Sequence, residues 1–195
     1  MHVAFDIDGT LIDEMTELLR PDMQTFIDFC FDNFNSVNIW TAASKEWCHE
    51  VIRMLQPYTA GRHFSTIFCG DRCIGRVDHH EDGYYTIRKI CKSTTTRHNT
   101  IIVDDTPSTF SRNYANAVYI KTYSSRLADT DRELLRVIDV CKSIIEQYAI
   151  CGSVRQIQRP RWHTLFTIIY RCQKIYEEAH RPPDHIGVRY LLRNS

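Results

Sequence analysis

Residues 3 to 13 read VAFDIDGTLID, an apolar run that delivers two aspartates, Asp6 and Asp8, and then Gly9-Thr10. The run from Met1 to Ile7 predicts a short buried strand. At a strand end, residues two apart point to the same side, so Asp6 and Asp8 are brought to one place. Gly9 lets the chain turn sharply away after them. A second acidic strand end follows much later, where Ile101–Val103 runs into Asp104 and Asp105.

Between these two points the hydrophobic pattern alternates. Pro21 opens an amphipathic segment with Met23, Phe26, Ile27 and Cys30 at helical spacing. Val37–Trp40 reads as a second strand. Ser44 is an N-cap candidate, and Trp47, Val51, Ile52 and Leu55 continue a helix to Pro57. Ala117–Ile120 reads as a fourth strand, and Asp129-Thr130-Asp131 precedes a helix from Glu133 to about Tyr148. Strands alternating with helices predict an α/β fold with a parallel sheet flanked by helices. Residues 64–87, with Gly70, Gly75 and Gly83, break the rhythm and read as an inserted β-flap. The expected organisation is a core over 1–148 and a C-terminal helical extension over 149–195. In the extension, a polar, basic linker (Ser153 to Arg161) leads to an apolar face at 162, 165, 166, 169 and 176. That face is expected to pack on the core or on a second copy, as a homodimer.

The chain of 195 residues has the 43% hydrophobic and 25% charged content of a globular domain. No apolar run approaches the roughly 20 residues of a membrane span. The N-terminus has no basic stretch followed by an apolar core, the pattern of a signal peptide. A cytoplasmic or nuclear setting is therefore expected, and the eight cysteines read as reduced thiols. Net charge is zero, which argues against a general nucleic-acid binder. The charge is uneven, however: from Ile150 onward there are eight Lys/Arg against three Asp/Glu. The basic residues there (Arg155, Arg159, Arg161, Arg171, Lys174) read as a solvated face, with attraction of an acidic or phosphorylated partner as the alternative.

In an open α/β sheet, ligands bind beyond the carboxyl ends of the strands. Here those ends carry Asp6 and Asp8, then Thr41, then Asp104 and Asp105, with Lys89 between the last two. Four carboxylates at one edge repel unless a cation lies among them, and a hard divalent ion with oxygen ligands, Mg²⁺, resolves that. A carboxylate not used up as a ligand can act as nucleophile and its neighbour as general acid/base, while Thr41 and Lys89 hold phosphoryl oxygens. Cys69, Cys73, His79 and His80 are spaced too loosely for a typical zinc site, and the other cysteines, at 30, 48, 91, 141, 151 and 172, sit on apolar faces and read as core thiols.

DIDGT (6–10) resembles the first motif of the haloacid dehalogenase (HAD) superfamily of aspartate-nucleophile phosphatases. IWTAAS (39–44) resembles the second, and Lys89 with VDDTP (103–107) the third and fourth. Within that superfamily, LLRPDMQTFIDFCFDNFNSVNIWTA, FCGDRC (68–73), NAVYI (116–120) and DTDRELL (129–135) resemble the FCP/SCP-type phosphatases of the RNA polymerase II C-terminal domain, over roughly residues 2–142.

The resemblance implies a HAD-like Rossmannoid core and a role for each residue. Asp6 would be the nucleophile that becomes an aspartyl-phosphate. Asp8 would protonate the leaving group and then activate water, its backbone carbonyl also binding Mg²⁺. Thr41 and Lys89 would bind the phosphoryl group, and Asp105, with Asp104 close by or sharing the work, would bind the metal. The chain departs from that branch in several places. Gly9-Thr10 stands where Glu-Thr is usual, and Asp-Asp where Asp-Asn is common. Gly70 stands where a substrate arginine is often found. Only residues 11–19 are available for the hairpin before the first helix.

The implied function is a Mg²⁺-dependent phosphatase of phosphoproteins, at Ser or Thr with Tyr as a further candidate. A small-molecule or nucleic-acid-end phosphatase on the same core, and a catalytically silent phosphopeptide-binding module, are the alternatives. A compact core with an added tail also suits a virus-encoded protein.

Overall fold

The computed structural model describes residues 1–77, 84–87, 94–106, 109 and 114–157. Lys89, His79, His80 and the apolar helical segment of 162–176 lie outside the described residues.

Five parallel strands form one sheet in the order β3-β2-β1-β6-β7. β1 (His2–Phe5) lies at its centre, between β2 (Ser36–Trp40) and β6 (Thr100–Asp104), with Phe5 opposite Ile39 on one side and Val103 on the other. β3 (Thr66–Phe68) and β7 (Ala117–Tyr119) are the edges. β6 is buried along its whole length, as a central parallel strand covered on both faces must be, which is why it reads TIIVD rather than as an alternating pattern.

Side chains that alternate along β1 serve the two faces. Phe5 meets Phe26 of α1 (Met23–Asn33) with ring centroids 5.0 Å apart. Ala4, on the other face, joins Ile102 and Trp40 in a cluster against which Phe68 and Cys73 pack. α1 buries Met23, Phe26, Ile27 and Cys30, the residues its spacing predicted, and packs against α4 (Glu133–Cys151). α2 (Lys45–Leu55) starts at the expected cap, where Ser44 Oγ accepts from the Trp47 N–H at 3.2 Å.

The segment read as a flap holds two structures. Thr66–Phe68 pairs parallel with β2 as the edge of the main sheet. An antiparallel pair follows, β4 (Ile74–Val77) with β5 (Tyr84–Ile87). A short α3 (Thr94–Asn99) then leads into β6.

The hairpin before α1, for which only residues 11–19 are available, exists in miniature. Ile12 bridges Leu19 in antiparallel fashion, the Asp13 N–H donates to Leu18 O at 3.0 Å, and the Arg20 N–H to Leu11 O at 2.9 Å. At the other end, the stretch read as a linker begins by docking. Val154 is fully buried, its N–H donates to His98 O at 2.7 Å, and Arg155 reaches Asn116 Oδ1 at 2.8 Å. The first compact unit of the chain accordingly runs to Gln158.

Candidate active site

The chain leaves β1 toward β2 on one side and returns to β6 on the other, so the crevice between β1 and β6 is the switch point where an open α/β sheet receives ligands. Asp6 follows β1 directly, and its N–H donates to Val103 O at 3.0 Å, which locks the two strand ends together. The chain then coils tightly, with the Thr10 and Leu11 N–H groups both donating to Ile7 O at 3.1 and 2.8 Å. Asp104 closes β6 and Asp105 follows. Carboxylate oxygens of Asp6, Asp104 and Asp105, all three buried, lie within 4.8 Å of one another.

The two neighbouring aspartates differ in what they do. Asp104 Oδ1 accepts from the Thr106 N–H at 2.9 Å and Oδ2 from the Thr109 hydroxyl at 2.8 Å, so its carboxylate folds the loop after β6. Asp105 instead faces the cleft. Burial, and then the charge of Asp6, push its carboxyl up to about 7, against the hydrogen bonds it receives, among them one from Thr10 Oγ1 at 3.3 Å.

The cleft is a cavity of about 380 Å³. It is lined by Asp6, Asp8, Thr41 and Asp105, by Thr106, Thr109, Thr122 and Ser124, and by Asp13, Glu14 and Met15 of the miniature hairpin. Thr41 is held at the end of β2 by its N–H on Phe68 O (2.9 Å), and its hydroxyl accepts from the Ala43 N–H (3.1 Å). The Asp8 carboxyl is turned toward α2, where Trp47 Nε1 donates to its Oδ1 at 2.8 Å.

Thus the structure brings together Asp6, Asp8, Thr41, Asp104 and Asp105; Lys89 lies outside the described residues. Among the described residues, the Asp8 side chain is not part of the carboxylate group that could hold a metal. Near the site, the Cys73 thiol is tied to backbone, Sγ to Thr41 O at 3.4 Å and to Cys69 O at 3.9 Å.

Sequence reasoning missed the group that holds the site's loops. Arg20 is 1% exposed. It forms a two-point ion pair with Asp131 (3.0 and 2.8 Å) and donates to Gly9 O at 3.4 Å, Thr10 O at 3.0 Å and Lys121 O at 2.7 Å. Its guanidinium also lies 5.2 Å from the Tyr123 ring centroid. It joins the loop after β1, the loop after β7 and the start of α4. Asp13 does similar work in the hairpin. It accepts from the Ser125 N–H at 2.6 Å and the Met15 N–H at 2.9 Å, and its carboxyl falls to about 2, chiefly because of that Ser125 bond.

The donor set fits Mg²⁺. All its donors are hard carboxylate oxygens gathered within 4.8 Å of one another, the kind of ligand that Mg²⁺ takes. Burial and then the Asp6 carboxylate hold the Asp105 carboxyl near 7, and a dication between the two carboxylates would relieve both effects.

Comparison with known proteins gives a consistent set of relatives. The family model described as NLI interacting factor-like phosphatase matches residues 1–151. A CTD phosphatase-like protein of Invertebrate iridescent virus 6 is 30% identical over 132 residues, covering 62% of this chain and 71% of the viral protein. The ubiquitin-like domain-containing CTD phosphatase 1 of Xenopus tropicalis is 24% identical over 160 residues, 74% of this chain, which spans only 49% of that relative. The solved structure of Fcp1, an essential RNA polymerase II CTD phosphatase, superimposes with a TM-score of 0.45 at 13% identity, over 91% of this chain and 63% of that one.

Proposed function

The chain belongs to the family of NLI interacting factor-like phosphatases, a family of phosphoric monoester hydrolases, and from that premise we propose that it removes phosphate from phosphoproteins by way of an aspartyl-phosphate on Asp6. The observation that carries the reading is the buried pairing of Asp6 with Asp105 in an open cleft that Asp8 also lines.

One oxygen of Asp6 attacks phosphorus as the bond to the leaving oxygen breaks, and Asp8 gives that oxygen a proton. Asp8 then takes a proton from a water molecule, which attacks the aspartyl-phosphate; phosphate leaves and Asp6 is regenerated. Thr41 binds a phosphoryl oxygen, and Lys89 supplies positive charge to the same group. Asp6, Asp105 and the backbone carbonyl of Asp8 would hold Mg²⁺. Asp104, both of whose carboxylate oxygens already serve the loop after β6, would not. When bound, the ion offsets the charge of the phosphoryl group and of the carboxylate that attacks it.

A protein substrate is favoured by the cleft itself. Among the described residues, the segment that lines it between β1 and α1 is the short hairpin of residues 11–20, too small to close over a metabolite and exclude water. The names of the relatives, CTD phosphatase-like for the viral protein and CTD phosphatase for the amphibian one, point the same way. The 149–195 extension, with its homodimer reading, adds nothing to this cleft among the described residues. Likewise, no helix among them is long and apolar enough to cross a membrane.

Hydrolysis of an aryl phosphate by wild type and Asp6→Asn, with Mg²⁺ and with EDTA, tests the proposal. Turnover that needs Mg²⁺, is lost in Asp6→Asn and leaves an acid-quenched phosphate adduct on Asp6 is the expected result. A folded, Mg²⁺-loaded wild type without turnover would favour the silent binding module. Faster hydrolysis of nucleotides than of phosphopeptides would favour the small-molecule or nucleic-acid-end enzyme.

A further inference from the structure

Trp47 stands in the first turn of α2, where its backbone N–H is fixed by the Ser44 cap. The same four-residue entry to the helix carries Thr41, whose hydroxyl accepts from the Ala43 N–H, and Ala43 O in turn accepts from the Gly70 N–H at 2.8 Å. From this anchored start the half-buried indole reaches 39 residues back in sequence to Asp8 Oδ1, at 2.8 Å. An indole N–H can only donate, along one direction, and the ring turns about only two bonds. The contact is therefore directional, and it falls on a carboxyl that lines the cleft.

We propose that Trp47 is a positioning residue: its indole holds the Asp8 carboxyl in the orientation at which it exchanges a proton with the leaving group and with water. This rests on the reading of Asp8 as the acid and base of the reaction. Through the Thr41–Ser44 turn, the indole also makes the proton donor and the phosphoryl-binding hydroxyl parts of one rigid unit. A rotamer change at Asp8 must then break the indole bond first. Packing alone does not account for the contact, because a ring kept only for its apolar area has no reason to aim its N–H at the cleft carboxylate.

The test uses a series of aryl and alkyl phosphates of rising leaving-group basicity. It is read as kcat/KM, which reports the step in which the leaving group departs. Trp47→Phe keeps an aromatic ring and deletes the N–H; a benzothienylalanine at the same position keeps the bicyclic shape and replaces only the N–H by sulfur. Both variants are expected to lose less than about threefold on the most acidic phenol leaving group. On a phosphoserine peptide, which needs a full proton, they are expected to lose about ten- to a hundredfold, a part of the 10²–10⁴ that a general acid supplies. Asp8→Asn should show the same dependence more strongly, and adding Trp47→Phe to it should change nothing further.

Equal losses across the whole series, or a change confined to KM, would mean that Trp47 packs or contacts substrate and would overturn the proposal. An Asp8→Asn variant indifferent to leaving-group basicity would overturn the role of Asp8 itself, a different outcome visible without reference to Trp47.

Discussion

Gly9 has φ +69°, and a Cβ built on it would lie 2.4 Å from Asp105 Oδ2 and 3.0 Å from Thr122 Cγ2. Two constraints meet there: a left-handed backbone, which costs a non-glycine residue about 1–2 kcal/mol, and a carboxylate pressed against the glycine's open face. Gly9→Ala is therefore expected to push the Asp105 carboxyl aside, lowering Mg²⁺ affinity at least tenfold and the melting temperature by several degrees; calorimetric titration and thermal unfolding read the two effects separately. The neighbouring pair at the end of β6 should separate just as cleanly. Asp105→Asn is expected to abolish Mg²⁺-dependent turnover. Asp104→Asn, whose amide oxygen can still accept one of the two loop hydrogen bonds, is expected to keep more turnover and to lose stability instead, by about 1–3 kcal/mol. Both aspartates were legible in the sequence as a strand end, but their division of labour was not. Adjacent residues on an extended chain point to opposite sides, and the letters DD do not say where the strand's last paired residue falls.

At the scale of elements, the strands that read as continuous apolar runs and the helices whose burial follows the helical period were legible: β1, β2, β6, α1, α2 and α4. β3 was less so. Three residues between glycine-bearing loops carry no period, and only their pairing with β2 assigns them to the main sheet. The miniature hairpin was missed because its order comes from outside it. Asp13 is bonded to Ser125 and Arg20 to Asp131 and Lys121, more than 100 residues away in sequence. An arginine before a proline gives no sign that it will be buried, since arginine is mostly exposed. Removing one partner of a buried ion pair leaves the other uncompensated, so Arg20→Met is expected to cost about 3–5 kcal/mol in urea unfolding. Asp13 should reveal itself by pH. Its carboxyl is depressed to about 2 in the fold, so its contribution is full above about pH 4 and is lost as pH falls through about 2. Asp13→Asn is expected to lose about 1–2 kcal/mol at pH 7 and little by comparison with wild type at the acid end, a convergence that urea unfolding at several pH values would detect.

Across the whole molecule, the fold converts strand order into chemistry. Because the strand order reverses between the parallel strands β1 and β6, two carboxyl-bearing ends meet in one crevice, where both carboxylates are buried. Burial, and then the repulsion from Asp6, act on Asp105 with a definite sign in the metal-free protein. Asp105 is raised to about 7 from an unfolded value near 4, so the fold favours its neutral form. That contribution is fully present below about pH 4, shrinks as pH rises and is gone above about pH 7. Mg²⁺ held by Asp105 would bind its ionised form, and a ligand that binds only the folded state stabilises it by mass action. Melting in EDTA should therefore fall between about pH 5 and pH 7.5, melting in excess Mg²⁺ should stay nearly level, and the gap between the two curves should widen with pH. Asp105→Asn has no such carboxyl to ionise, so its two curves should run close together at every pH. A wild-type gap that stayed constant with pH, or a variant gap as wide as the wild type's, would remove Asp105 from the ion's donor set and turn attention to Asp104.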